Sequence, residues 1–536
     1  MKKNTRYNLL ISLTYFVTLI GGMYFGYKFL IEQGFTIQKT ANYTADNASR
    51  KADDIIHIIK KNYVDDVNTD SLQNLPIDSL LHQLDPHSMY LPANKAFAMA
   101  ESLEGNFEGI GVEYYILNDT LLVTHVLKDG PAFVAGLKQG DKILKVDTVQ
   151  VSGKSLPRSA MIGKIKGKKG TAVQLTIARP GSTQFSVYNI KRGRVMVSSV
   201  DAAYMLNQET AYVRISKFGA NTDSDFVNAI SELKGKGMRK LILDLRDNGG
   251  GYLNAATALA NQFLPENKLI VYTKGKHEPR TDYFSTGGGE FEQGKLAVLI
   301  NENSASASEI FAGAMQDLDR GVIIGRRSFG KGLVQEQFSF DDGSALNLTV
   351  ARYYTPLGRN IQKPYKNGYN AYQNEVDSRL NEGELVGKRL KNKDTLQSAA
   401  VFTTPNGKKV YGGGGIQPDV FIKLDTTGYN KFYLNLVTKK VLVDFVFDVL
   451  ADRYTSAYLS QNMSNFTFSD ADFKELTKYI EAKNITVDKK QFLVAKSLIS
   501  TDLRVMLYKY HLGDVGFYKA HNQNDPMIKQ ALNSLQ

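Results

Sequence analysis

The chain has 536 residues, too many for one compact core, so several domains are expected. At 43% hydrophobic and 22% charged it has a globular composition, and with no cysteine it holds neither a disulfide nor a thiolate metal site. The net charge of +12 is spread along the chain with no long basic run interleaved with aromatics, which fits a solvated surface better than nucleic-acid binding.

The seven histidines are scattered and give no tight ligand spacing, so no metal is expected. The N-terminus carries Lys2, Lys3 and Arg6, and residues 7–27 then contain no charge. About 20 helical residues span a hydrocarbon core, and no small-residue cleavage site lies close behind, so an uncleaved anchor over residues 1–30 is expected. The basic flank would keep the N-terminus in the cytoplasm and place the rest in the periplasm or another extracytoplasmic space.

Residues 31–98 read as a helical region, with Ile55, Ile56, Ile58 and Ile59 on one stripe and a break at LDPHSMYL, 84–91. From 99 to 190 the texture becomes β-rich. Two apolar runs flank Asn118-Asp119, a hairpin signal, and further strands are expected at 142–146 and after Gly170. From 191 to 427 strands alternate with helices, which indicates a mostly parallel sheet with chemistry at the strand C-terminal ends. Residues 428–536 lose that alternation and read as helices.

Within the α/β part, NENSASASEIFAGAM (301–315) places Ser304, Ser306 and Ser308 at a strand-to-helix junction. Ser306 and Glu309 match a capping box, so one reading is a helix cap. The other is a nucleophile, because free N–H groups and the helix dipole at such a junction stabilise an oxyanion. A serine nucleophile needs a base. SFGKG (328–332) sets Lys331 between glycines after a buried strand, where desolvation would favour the neutral amine, and Gln335 follows four residues later. An exposed turn lysine is the alternative. RDNGGG (246–251) offers a second backbone donor, a phosphate cradle or a tight turn. Ser328 and Lys331 also have the Ser-x-x-Lys spacing of penicillin-binding enzymes, although Gly330 and Gly332 argue against the helix that motif needs.

Together, NENSASASEIFAGAMQD, GRRSFGKGLVQ, DLRDNGGG, YYTPLGRNIQ (353–362), YGGGGIQPDV (411–420), LDPHSMYL and FEGIGVEY resemble the C-terminal processing (tail-specific) peptidases, serine–lysine endopeptidases with a PDZ domain. The resemblance runs from about residue 50 to 425. It implies an α/β, ClpP/crotonase-like protease core with an inserted PDZ domain, no cofactor, and protein substrates with exposed C-termini. It further implies Ser306 as nucleophile, Lys331 as general base and Gln335 as its orienter. Backbone N–H groups of Ala307 and Gly250 would form the oxyanion hole, and residues Gly109, Ile110, Gly111 and Val112 would take the substrate carboxylate by β-augmentation. Ser304 and Ser308 are left as helix-entry residues. A homo-oligomer or a regulatory adaptor is a possible partner. A non-catalytic PDZ scaffold that only binds tails is the competing expectation.

Overall fold

The computed structural model describes residues 48–68, 72, 76–153, 157–387 and 400–536. The expected anchor at residues 7–27 lies outside them, and among the described residues no helix is long and apolar enough to cross a membrane. The chain divides into two compact units, one of residues up to 97 with 335–350, the other of residues 98–334 with 351–536.

In the first unit, helices Ala48–Asn62 and Ile77–Leu84 are amphipathic. Ile55, Ile58, Ile59, Leu80 and Leu81 are buried at helical spacing, as the expected stripe requires. The Met89–Leu91 strand pairs antiparallel with the start of Ala345–Tyr354, with Met89 opposite Asn347. The LDPHSMYL stretch therefore ends in a strand instead of only breaking a helix.

The second unit is built on a six-stranded sheet. Val200–Met205 runs antiparallel to Thr210–Ile215. Then come Lys240–Asp244, Lys295–Ile300, Val322–Gly325 and Val420–Phe421, all parallel. The central strands Lys240–Asp244 and Lys295–Ile300 are apolar on both faces over most of their length, because both faces are covered. Leu241, Leu243, Leu296, Val298 and Ile300 point to helices Thr222–Gly235, Leu253–Asn261 and Ala307–Asp317. Ile242, Ala297 and Leu299 point the other way, onto Met527, Ile528, Ala531 and Leu535 of the C-terminal helix Pro526–Ser534. This period-two division fixes the register, since a one-residue slip would exchange the two faces.

The β-rich segment forms its own sheet in the order Val112–Leu117, Thr120–Val126, Lys142–Val146, Ala172–Ala178, Ser186–Lys191. Asn118 and Asp119 close the first hairpin with φ of 47° and 56°, the two left-handed residues of a type I′ turn. Val112–Leu117 is one of its edge strands. Two helices, Pro131–Ala135 and Arg158–Ile165, cover a core of Ile110, Leu121, Val123, Ile143, Leu175 and Ile177. Beyond residue 428 the chain is helical, and its longest helix, Lys489–Asn522, is interrupted at Gly513 (φ 66°, ψ −161°).

Candidate active site

Three loops leave the C-terminal ends of adjacent parallel strands: residues 245–251 after Lys240–Asp244, 301–306 after Lys295–Ile300, and 326–332 after Val322–Gly325. In open α/β sheets such crevices hold the chemistry. The first loop is anchored at its base by Asp244, fully buried beneath Arg246 and Arg214. Burial opposes ionisation there, but the two guanidiniums outweigh it and hold the carboxyl well below the ordinary range.

Ser306 sits at the entry to helix Ala307–Asp317 with φ 55° and ψ −114°, a conformation rare outside glycine. The expected capping box is present: the Glu309 carboxylate accepts from Ser306 N (2.9 Å), and the Ser306 side chain faces the Glu309 backbone N–H. Glu309 N also donates to the Ser306 carbonyl (2.8 Å). The positive φ costs roughly 1–3 kcal/mol, and surrounding bonds sustain it. Ala305 N donates to Asn248 O (3.0 Å), and Tyr353 Oη donates to Ser306 O (3.2 Å).

Ser304 and Ser308 are not simple entry residues. Ser304 Oγ donates to Leu245 O and Ser308 Oγ to Asn248 O, both at 2.8 Å, so they stitch the serine loop to the glycine loop. Gly250 packs directly against Ser306. A Cβ added there would lie 2.8 Å from both Ser306 Cβ and Ala305 O, and φ is +100°. Its N–H, expected to be an oxyanion donor, is committed to Asn248 Oδ1 (2.9 Å) in this conformation. Ala307 N lies in the first helical turn, where no intrahelical acceptor exists.

Glu309 joins the serine to the lysine loop. It is fully buried. Its Oε2 accepts from Ser306 N and from Lys331 N, each at 2.9 Å, so the two amide nitrogens are no farther apart than twice that distance. Its Oε1 accepts from Gly330 N (2.7 Å) and Ser328 Oγ (2.5 Å). Burial pushes this carboxyl up to about 7 against the four hydrogen bonds that favour its ionised form. Sequence reasoning saw Glu309 only as half of a cap; nothing local marks its reach to residue 331.

The lysine loop is gripped from behind as well. Lys331 O accepts from Tyr353 Oη (2.5 Å), Gly330 O from Lys363 N (2.9 Å), and Gly332 N donates to Gln362 Oε1 (2.8 Å). The Lys363 ammonium lies 3.7 Å from the Phe329 ring centroid, and Arg379 Nη2 donates to Arg327 O (2.8 Å). Phe329 N donates to Ser304 O (3.0 Å), tying the two loops together again. Ser328, the rival nucleophile, is fully buried. Its hydroxyl donates to Glu309 and accepts from Ile416 N (2.6 Å), so it serves the scaffold and does not face substrate.

Gln335 belongs to the first unit. Its amide donates to Thr349 Oγ1 (3.2 Å), which in turn donates to Asp85 Oδ1 (3.1 Å). Asp85 also accepts from Ser88 Oγ (2.6 Å), so the LDPHSMYL stretch supplies the support for Gln335's partner. Residues 109–112 border a cleft of about 520 Å³ beside the edge strand Val112–Leu117. Their carbonyls are used internally, Ile110 O by Ala132 N (2.7 Å) and Gly111 O by Leu127 N (3.0 Å). Among the described residues no group of three or more acidic or histidine side chains could hold a metal.

Residues 209–368 match the model of peptidase family S41, and residues 109–187 that of the PDZ domain. A "Probable CtpA-like serine protease" of Staphylococcus saprophyticus is 33% identical over 355 residues, 65% of this chain and 71% of its own length. The protein of that name from Staphylococcus aureus (strain MRSA252) is 35% identical over 325 residues, 60% of this chain and 64% of its own length. Among solved structures, the photosystem II D1 C-terminal processing protease aligns with 59% of this chain and 91% of its own, at 28% identity and a TM-score of 0.36. The chain belongs to peptidase family S41 and is a PDZ-containing, serine-type endopeptidase of the C-terminal processing kind.

Proposed function

We propose that this chain is a membrane-anchored, extracytoplasmic endopeptidase that captures protein C-terminal tails in its PDZ domain and cleaves peptide bonds with a Ser306–Lys331 dyad. The observation that carries this reading is the shared carboxylate oxygen. Glu309 Oε2 holds the backbone of both residues, at the ends of neighbouring parallel strands.

In the reaction the Lys331 amine takes the proton as Ser306 Oγ attacks the peptide carbonyl. Ala307 N–H receives the oxyanion, joined by Gly250 N–H once its bond to Asn248 yields to substrate. Lysine then protonates the leaving amine, and water, activated by the same amine, clears the acyl-enzyme. The basic residues 2, 3 and 6 followed by the uncharged residues 7–27 support the anchor and its orientation.

Ser306→Ala and Lys331→Ala should each abolish cleavage of a tailed protein substrate while the purified variants melt cooperatively, as the parent does. Parent-like turnover by either variant would sink the dyad.

A further inference from the structure

Lys331 stands between Gly330 and Gly332, and two consecutive residues of a later segment hold both glycines. Lys363 N donates to Gly330 O (2.9 Å), and Gly332 N donates to Gln362 Oε1 (2.8 Å). The packing is close. A Cβ added to Gly330 would lie 3.0 Å from Lys363 Cβ, and one added to Gly332 would lie 3.0 Å from Gln362 N. Residues 362 and 363 thus form a support on which the lysine loop rests.

The Lys363 side chain extends that support. The residue is 2% exposed, which is rare for a lysine. Its ammonium lies 3.7 Å from the Phe329 ring centroid and 4.2 Å from that of Tyr372, and the two rings meet edge to face at 5.8 Å. Phe329 belongs to the lysine loop, and Tyr372 to the short helix Tyr369–Gln373.

Charge balance does not account for this buried ammonium. Arg327 pairs with Glu375 (3.1 Å) and with Glu384 (2.8 Å), and Arg379 pairs with Glu384 (2.9 Å). Those two guanidiniums already match the two carboxylates. Lys363 reaches Glu375 at 3.3 Å as a third cation for two anions. Burial lowers its pKa, Glu375 opposes that fall, and Arg379 and Arg327 add to it. A buried charge that its carboxylates do not require is explained by its other contacts, the faces of two rings.

We propose that Lys363 is a positioning residue for Lys331: its ammonium, held between Phe329 and Tyr372, pins the Phe329 ring and so fixes the loop that carries the base. The inference rests on the peptidase reading above, in which Lys331 is that base, and deepens it. Lys363 touches neither substrate nor reacting atoms. It acts through Phe329 and Gly330, the two residues before Lys331. Ser306 is held by Glu309, Asn248 and Tyr353, so the effect of Lys363 falls on proton transfer and not on tail capture.

The test uses the full chain and three variants: Lys363→Met, Phe329→Leu and the two combined. Lys363→Met keeps the aliphatic stem and leaves Glu375 paired with Arg327. Phe329→Leu keeps every charge in place. Each single variant should lower kcat on a tailed protein substrate about tenfold or more, with KM within about twofold of the parent. Both remove the same contact, so the combined variant should fall within about threefold of the worse single one. Losses that multiply, to about 100-fold or more, would overturn the clamp. A loss confined to KM would overturn it too, as would a Lys363→Met protein with kcat within about twofold of the parent.

Hydrogen exchange gives a reading that needs no catalysis. Amides of residues 328–332 should exchange about tenfold faster in Lys363→Met and in Phe329→Leu than in the parent, while those of helix Thr222–Gly235 keep the parent rate. Parent-like exchange in the loop would overturn the proposal. So would a rise shared equally by that helix, which marks a general loss of stability. If the parent cleaves no substrate, or if Lys331→Ala cleaves as the parent does, the peptidase reading fails, and the exchange rates still decide whether Lys363 holds the loop.

Discussion

Replacing Glu309 tests whether one buried carboxylate sets the distance between Ser306 and Lys331. Glu309→Ala strips the partner from three backbone donors, those of Ser306, Gly330 and Lys331, and from the Ser328 hydroxyl. At about 1–2 kcal/mol for each backbone donor left unpaired, the loss is roughly 3–6 kcal/mol. The two loops would also lose their common anchor, and a displacement of about 1 Å at a catalytic pair costs on the order of 100-fold in rate. Glu309→Gln is the discriminating companion. Its single oxygen can still face Ser306 N and Lys331 N, and its amide can donate to Ser328 Oγ, so Gly330 N and the Ser328 hydroxyl proton lose their acceptor. That variant should lose about 1–3 kcal/mol and stay within about tenfold of the parent in kcat. Chemical denaturation and turnover of a peptide substrate measure both quantities. A Glu309→Ala protein with kcat within about twofold of the parent would refute the argument.

The same carboxyl predicts a pH signature. Its ordinary value is 4.5 and burial pushes it up to about 7 in the fold. A group raised on folding contributes its stability fully below the unfolded value and loses it as pH rises through the folded one. Between pH 4.5 and 7 the parent should therefore lose on the order of 3 kcal/mol that Glu309→Gln does not lose.

Much of the fold was legible because it is written in local periodicity. The alternation Leu241, Ile242, Leu243 reads as a strand covered on both faces, and both faces are covered. The pair Asn118-Asp119 tolerates positive φ, and it forms the tight turn. What escaped the sequence is contact at long range. A capping box reads from Ser306 and Glu309, but not the φ of 55° at Ser306, whose stabilising partners come from residues 248 and 353. The reach of Glu309 to residues 328–331 has no spacing signature. The tail beyond 428 showed helices but not their destination, which is one face of the protease sheet and the PDZ hairpin. There Tyr115 Oη donates to Asp444 Oδ1 (2.9 Å), and the Tyr115 ring lies 5.0 Å from Phe447, centroid to centroid.

Two further perturbations act on the glycine loop. Gly250→Ala should destabilise the protein by about 2–5 kcal/mol through its positive φ and its crowding of Ser306, and should lower kcat at least about 100-fold; near-parent kcat would mean the loop does not define the site. The second concerns the base of the loop, where Arg246 lies between Asp244 (2.6 Å) and Asp525 (2.5 Å) of the C-terminal tail. Asp525→Ala leaves the guanidinium paired with Asp244 and should cost only about 1–3 kcal/mol. Arg246→Ala leaves the fully buried Asp244 with Arg214 as its one charged partner, beside the Tyr212 hydroxyl, and should cost about 3–5 kcal/mol. The order matters more than either value, because it follows from which charge is stranded. Asp244 is depressed in the parent, so its contribution is present above its unfolded value and disappears only in strong acid. Without Arg246 the burial that opposes its ionisation is less compensated, and acid should destabilise the variant less steeply than the parent. Thermal melts of the parent and the two variants, carried from neutral pH into strong acid, measure both effects, and an Asp525→Ala protein less stable than Arg246→Ala would show that the tail, not the buried carboxylate, holds the loop in place.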